Sequence, residues 1–362
     1  MRVLVIDDSA LMRRVISGAI EHAGGMTLAG TARDGLDGLE KIRDLSPDLV
    51  TLDIEMPRLD GISTLRKLRA ELGDRAPVVL MCSTLTRKGS NEAIQAMHLG
   101  AADVVLKDIA SVQGGAAGFT TELISKARAL ISARRKARPA DRPAPCAKAV
   151  RHRDGWSPDR VLPGAVEVVV IGSSTGGPPV LEALLKPLPA DLTAPIVIAQ
   201  HMPALFTESL AERLDAECAL TVRHGANGMP LIPGEVVIVP GGSHGKIRKT
   251  VRRLQLVVGD APQAALYRPS VDELLSTAGE TCSNRVLAAV MTGMGEDGAV
   301  GAKHLHELRA TVLAQNEGTC VVYGMPAAVA RGGNADAELP PEAISEIIAR
   351  LSKSNADRLR AA

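Results

Sequence analysis

Residues 3–14 read VLVIDDSALMRR, a short apolar run that meets two aspartates and a serine and then continues with apolar residues at helical spacing. Arg2–Ile6 has the length and apolar character of a strand, and the acidic pair closes it. The same punctuation recurs further along. Met26–Gly30, Leu49–Leu52, Pro77–Met81 and Asp103–Leu106 read as strands, and Leu36–Asp44 and Ile62–Leu72 carry apolar residues three and four apart. Strands alternating with helices imply a parallel sheet covered on both faces. Functional groups of such a sheet gather outside the carboxyl ends of its strands.

Asp7 and Asp8 end the first strand and Asp53 ends the third. Ser83 follows the fourth, and Lys107 ends the fifth. Three carboxylates on one rim are costly without a cation, and oxygen-only ligands suit Mg²⁺. Lys107 supplies a point charge for a phosphoryl group, and Ser83 a hydroxyl donor. Singly, each has a plainer reading: Asp8-Ser9 as a helix cap, Lys107 as a solvated lysine, Ser83 as a turn residue, Asp53 as the start of a loop. Together, at successive strand ends, they describe an acyl-phosphate acceptor centred on Asp53.

A second α/β pattern begins at Val166. Glu167–Ile171, Pro195–Ala199, Glu235–Val239, Val286–Met291 and Thr311–Ala314 read as strands. Val180–Leu185, Leu205–Asp215 and Pro269–Ala278 read as helices, and Glu342–Leu351 as a closing helix. Between the two patterns, from about Arg128 to Gly164, the apolar period dissolves. ARRKARPADRPAPCAKAVRHRDGWSPDRVLPG (133–164) is rich in Pro, Ala and Arg and reads as a solvated tether. The expected division is a first domain over residues 1–125, a linker over 126–165 and a second domain over 166–355, both domains being doubly wound parallel-sheet α/β folds.

VVVIGSSTGGPP (168–179) sets Gly172-Ser173-Ser174-Thr175-Gly176 directly after a strand. This matches G-x-S-x-G, whose glycines allow a sharp strand-to-helix turn that presents the central serine. Pro178 or Pro179 can open the following helix. A phosphate-cradling loop is the competing reading, but neither G-K-[ST] nor G-x-G-x-x-G is present. A serine nucleophile needs a base, and the base an orienting carboxylate. PIVIAQHMP (195–203) puts His201 just past the next strand, and VLAAVMTGMGEDG (286–298) puts Asp297 in a Gly-rich loop past a later one. His244, which also follows a strand, is the rival base. His304 and His306, two apart, face different sides of a helix and make no zinc pair. The order Ser…His…Asp differs from the Ser…Asp…His of α/β-hydrolases, so this is triad logic on another sheet.

The totals exclude several classes. Lys plus Arg number 42 against 41 for Asp plus Glu, a net charge of +1, and aromatics are 1%. Neither nucleic-acid attraction nor base-stacking platforms are expected. The five cysteines are scattered without C-x-x-C, as expected of reduced thiols in the cytoplasm. The acidic pair Asp7-Asp8 stands where a signal peptide needs its long apolar region, so no signal peptide is expected. No uncharged apolar run approaches the ~18 residues of a membrane span, so no membrane insertion is expected.

The first third of the chain resembles the response-regulator receiver family, on VLVIDDSALMRR, DLVTLDIEMPRLDG (48–61), VLMCSTLT (79–86) and ADVVLKD (102–108). The resemblance implies a flavodoxin-like domain in which Asp53 takes a phosphoryl group from a histidine kinase, with Mg²⁺ at Asp7, Asp8 and Asp53. There are two departures. Asp108 follows Lys107 where the family has proline, so a trans bond is expected. Val104 stands where an aromatic often couples to the switch hydroxyl.

Residues 166–350 resemble the catalytic domain of chemotaxis protein-glutamate methylesterases, the CheB family. The matching text is GSSTGG (172–177), QHMP (200–203), RPSVDELL (268–275), TGMGEDG (292–298) and LAQNEGTCVVYGMP (313–326). Ser173 replaces the usual alanine. The resemblance implies a Rossmann-like domain with Ser174 as nucleophile, His201 as base, Asp297 as its orienter, and N–H groups at Thr175 and Met294 as the oxyanion hole. It implies no cofactor at the esterase site. The implied substrates are methyl-accepting chemotaxis receptors, with their glutamines as implied deamidation targets, and the implied phosphodonor is the chemotaxis histidine kinase. A receiver-controlled hydrolase of another ester and a non-enzymatic binding module are the other expectations that the sequence carries.

Overall fold

The computed structural model describes residues 1–84, 86–107, 116–137, 151–152, 156–251 and 253–353. The chain divides into two compact units, Met1–Pro139 and Ala140–Ala362.

In the first unit the apolar runs form strands β1 (Arg2–Ile6), β2 (Thr27–Ala32), β3 (Leu49–Asp53), β4 (Val78–Ser83) and β5 (Asp103–Leu106). They pair in parallel in the order β2-β1-β3-β4-β5, which sets β1 and β3 side by side. Helices α1 (Ala10–His22), α2 (Gly35–Leu45), α3 (Gly61–Leu72), α4 (Arg87–His98) and α5 (Ala116–Ala137) alternate with them. Ser9 does cap α1, accepting the Met12 N–H at 3.4 Å, but this leaves Asp8 exposed on the strand-end rim. Asp60 caps α3 by accepting the Ser63 N–H at 2.7 Å. The next residue, Gly61, lies so close behind Asp53 that a Cβ there would stand 2.1 Å from the Asp53 carbonyl oxygen.

Helix α5 reaches Ala137, well into the segment read as a tether. Its buried residues Leu123, Ala127, Leu130 and Ile131 have helical spacing, but the Ser, Lys and Arg around them mask the period. The tether residues 138–150 and 153–155, with Cys146, lie outside the described residues, as does Asp108 with its expected trans bond.

The second unit adds β6 (Arg151–His152), β7 (Val168–Ser173), β8 (Ile196–Gln200), β9 (Thr221–His224), β10 (Met229–Pro230), β11 (Glu235–Ile238), β12 (His244–Lys249), β13 (Leu254–Gly259), β14 (Val286–Val290), β15 (Thr311–Gln315) and β16 (Ala337–Leu339). Its helices are α6 (Gly177–Leu185), α7 (Ala204–Glu217), α8 (Val271–Cys282), α9 (Ala299–Glu307), α10 (Met325–Arg331) and α11 (Pro341–Ala349). The main sheet runs β6-β16-β15-β14-β7-β8-β11-β9, parallel except at the β6–β16 edge.

The strand reading missed the short edge strands β6, β9 and β16 of the main sheet and the whole of a small antiparallel sheet, β10-β13-β12. Ile247 and Leu256 are buried in it, but charged and glycine residues interrupt its short runs. Val168, Val170, Val197, Val237, Leu274 and Ala288 form much of one core. Val271, the first residue of α8, belongs to that core, and a Cβ on Gly172 would stand 2.3 Å from its side chain. The start of α8 is thereby seated against the end of β7. Among the described residues Cys82, Cys218, Cys282 and Cys320 are free thiols, and no helix is long and apolar enough to cross a membrane.

Candidate active site

The rim of the first sheet gathers the groups expected there. Asp7, Asp8 and Asp53 each offer a carboxylate oxygen, all within 4.8 Å of one another. The Lys107 ammonium lies 2.7 Å from Asp7 Oδ2 and 2.6 Å from Asp53 Oδ1. Burial raises the Asp53 carboxyl to about 6; Lys107 pulls it down, and the neighbouring Asp7 and Asp8 push it up. Burial also works against the Lys107 ammonium, but Asp53 and Asp7 outweigh it and hold its pKa above the usual range. Three carboxylates against one ammonium leave the pocket acidic. Its donors are hard oxygens at chelating distances, so they fit a small divalent cation. Ser83 lies on the same rim, but its hydroxyl donates to the Gly89 and Thr84 carbonyls, 3.2 Å each, at the start of α4.

In the second unit β14, β7 and β8 are adjacent, so their loops bring Asp297, Ser174 and His201 to one edge. The turn after β7 is built as its glycines suggest. Gly176 has φ +77°, a left-handed conformation that suits glycine, and a Cβ on Gly177 would collide with Gln200 Oε1 at 2.0 Å. The ladder continues past the strand ends, with the Ser174 N–H donating to Thr292 O at 3.0 Å and the His201 N–H to Ser173 O at 3.0 Å.

The two serines are occupied differently. Ser173 is fully buried and donates to Gln200 Oε1 at 2.6 Å. Gln200 Nε2 in turn donates to the Ser174 carbonyl at 2.9 Å. Ser174 is only half-buried.

His201 Nε2 and Asp297 Oδ2 are 2.8 Å apart, a hydrogen bond that gives Nε2 the proton while Asp297 is ionised. The other ring nitrogen, Nδ1, is buried without a hydrogen-bond partner among the described residues, so a lone pair remains there to take a proton. Asp297 is buried, and α8 holds it. Its carboxylate accepts from the Val271 N–H at 2.7 Å, the Asp272 N–H at 2.9 Å and the Ser270 hydroxyl at 3.1 Å. Burial alone would raise this carboxyl; the His201 hydrogen bond and charge, with the Asp272 and Val271 amides, hold it below the usual range. Tyr267 stacks on the His201 ring, centroids 4.3 Å apart and planes 10° from parallel.

The loop carrying Met294 runs beside the elbow. A Cβ on Gly293 would stand 2.8 Å from Ser174 Cβ, and Thr292 Oγ1 donates to the Thr175 carbonyl at 3.0 Å. His244 is not brought to this edge as a base. It is fully buried at the start of β12, its Nδ1 accepts the Ser270 N–H at 3.3 Å, and burial holds its pKa below the usual range. His304 and His306 lie on α9, away from any described ligand cluster.

Comparison with known proteins covers both units. The family model for the response regulator receiver domain matches residues 3–114, and that for CheB methylesterase matches residues 169–348. A protein-glutamate methylesterase/protein-glutamine glutaminase of Caulobacter vibrioides is 42% identical over 98% of this chain and 99% of its own length. The chain belongs to the protein-glutamate methylesterase/protein-glutamine glutaminase family. A second member, from Oleidesulfovibrio alaskensis, is 41% identical over 96% of this chain and 98% of its own length. The crystal structure of the Thermotoga maritima CheB methylesterase catalytic domain is 40% identical over 51% of this chain and 98% of that one, with a TM-score of 0.50.

Within this family member the sequence reading passed over Gln200, Tyr267, Ser270 and Asp272, all of which support the site. Ser270 could have been found from its cap pattern, Ser-Val-Asp-Glu, with Glu273 three residues on. Gln200 stands in the QHMP motif with no role assigned to it, and Tyr267 carries no local signal. Only the meeting of separate loops gives them a role.

Proposed function

We propose that the chain hydrolyses γ-glutamyl methyl esters on methyl-accepting chemotaxis receptors, and deamidates receptor glutamines, under the control of phosphorylation at Asp53. The observation that carries the esterase reading is the 2.8 Å His201–Asp297 pair, with Nδ1 left over, on the strand edge that holds the Ser174 elbow.

Ser174 Oγ attacks the ester carbonyl carbon as its proton passes to His201 Nδ1. Asp297 keeps the opposite ring nitrogen protonated and stabilises the imidazolium. The N–H groups of Thr175 and Met294 receive the charge on the carbonyl oxygen; one such donor is typically worth about 3 kcal/mol of barrier. Collapse breaks the C–O bond, and His201 returns its proton to the leaving methoxide, giving methanol. Water then attacks the acyl-serine, its proton goes to His201 and on to Ser174 Oγ, and glutamate is released. With a glutamine substrate the leaving group is ammonia.

In the receiver an Asp53 oxygen attacks phosphorus on the phosphohistidine of the chemotaxis kinase, and the P–N bond breaks. Mg²⁺ held by Asp7, Asp8 and Asp53 would neutralise phosphoryl charge during transfer. Lys107 pairs with the phosphoryl oxygens, and Ser83 reaches them by leaving the Gly89 carbonyl. In this reading residues 1–125 carry the receiver and 166–355 the esterase, with 126–165 between them. The protein works in the cytoplasm, where receptor signalling helices and kinase meet. Methanol release from methylated receptors tests the reading: wild type releases it, and a folded Ser174→Ala variant does not.

A further inference from the structure

A hydrogen bond to Asp297 fixes only one corner of the His201 ring. The ring torsion of histidine is broad, and the opposite corner, Nδ1, has no polar partner among the described residues. Productive proton transfer therefore needs something else to set the plane of the imidazole. Among the described residues an aromatic ring is placed to do this. Tyr267 lies flat on the ring at 4.3 Å, 10° from parallel. It is one of two tyrosines in a chain that is 1% aromatic.

Its own placement is over-determined. The Tyr267 hydroxyl lies 3.1 Å from where a Cβ on Gly295 would stand, in the loop that carries Met294. Three residues later Ser270 caps α8, whose first amides hold Asp297. The stretch Tyr267–Asp272 thus touches both the face of the base and its carboxylate partner.

We propose that Tyr267 is a positioning residue for ester hydrolysis. Its ring face fixes the imidazole in the plane that turns Nδ1 to Ser174, and it keeps water from that side of the ring. This rests on the assignment of Ser174 and His201 given above. The aromatic face acts, not the hydroxyl: a parallel ring limits tilting, and its quadrupole favours the imidazolium formed during turnover. Misplacement of a reacting group by about 1 Å can cost about 100-fold in rate.

The test uses the full chain and methanol release from methylated receptors. Tyr267→Phe keeps the face and retains kcat within about twofold. Tyr267→Leu keeps apolar volume but loses the face; its kcat falls about 10- to 100-fold while KM changes less than about threefold. Tyr267→Leu placed on His201→Ala adds no further loss, because the ring it positions is gone. Thermal melts establish that each variant is folded. The proposal is overturned if Tyr267→Leu keeps wild-type kcat, if Phe is as poor as Leu, or if the loss persists in the His201→Ala background. Ser174→Ala run alongside separates the two claims: if it still releases methanol, the assignment of the site fails and takes the proposal with it. If only the Tyr267 results go the wrong way, the site stands without this device.

Discussion

Ser173 and Ser174 are neighbours with different work. Ser173 points into the protein, where its hydroxyl is the donor to Gln200 Oε1. Ser174 sits at the apex of the turn with its carbonyl tied by Gln200 Nε2. Ser174→Ala therefore abolishes demethylation without unfolding the chain. Ser173→Ala keeps most activity but leaves a buried acceptor without its donor, which costs about 1–2 kcal/mol of stability. Paired turnover and denaturant-melting measurements check both, and equal activity losses in two folded variants would contradict the register.

The histidines divide in the same way. His201→Ala and Asp297→Ala each lower turnover roughly a thousandfold or more, and the double variant is little worse than either. His244→Ala affects stability far more than chemistry, since His244 is buried behind Ser270. Steady-state kinetics decide this; an indispensable His244 beside a dispensable His201 would show that the base is misassigned. The placement of Ser174, His201 and Asp297 on one strand edge was legible because each follows a strand pattern and sits in a short motif. The roles of Tyr267 and Gln200 were not, because their contacts cross between loops that only the folded sheet brings together.

At the level of elements, the start of α8 holds the carboxylate that pairs with His201. Asp297 lies against its first amides, where a helix favours negative charge. Asp272 faces the same region, and its Oδ1 accepts the Gly298 and Gly301 N–H groups at 2.9 and 2.8 Å, capping α9. Burial raises the Asp272 carboxyl to about 6; the Gly301 N–H pulls it down and Asp297 pushes it up. A carboxyl raised on folding contributes stability below its unfolded pKa and loses it as pH rises through the folded value. Asp272 therefore weakens the fold between about pH 4 and 6. Asp297, held low, has the opposite sign: its contribution is present above the unfolded pKa and lost on acidification.

Asp272→Asn keeps the Oδ1 acceptor and removes the titration. The melting temperature of this variant relative to wild type should rise as pH goes from about 4 to 7, and a pH-independent difference would contradict the account. The central strands of both main sheets were legible from apolar period, while the short edge strands β6, β9 and β16 were not. The β12–β13 hairpin and the last turns of α5 were not, because basic residues share their short apolar runs and the partner that buries the apolar face is remote in sequence.

The whole chain joins the acidic rim of the first unit and the Ser174 edge of the second through one covalent segment. A tether keeps two domains at high effective concentration, so weak coupling suffices to link them. Typical coupling free energies of about 1–3 kcal/mol give roughly 5- to 150-fold modulation. A fragment beginning at Leu162 should demethylate faster than the unphosphorylated full chain and ignore phosphodonor. A fragment no faster than the full chain would contradict restraint by the receiver and leave activation as the mode of control. Two α/β units and the residues at their strand ends were readable from sequence. The arithmetic of coupling was not, because apolar period reports packing within a unit only.

The most direct test of the central claim is methanol release from methylated receptors by the wild type, Ser174→Ala and Asp53→Asn, each with and without Mg²⁺ and a small acyl-phosphate donor. The account predicts that the donor accelerates the wild type, that Asp53→Asn shows only the basal rate whatever is added, and that Ser174→Ala releases nothing in any condition. Methanol release by folded Ser174→Ala, or full acceleration of Asp53→Asn by the donor, would contradict it.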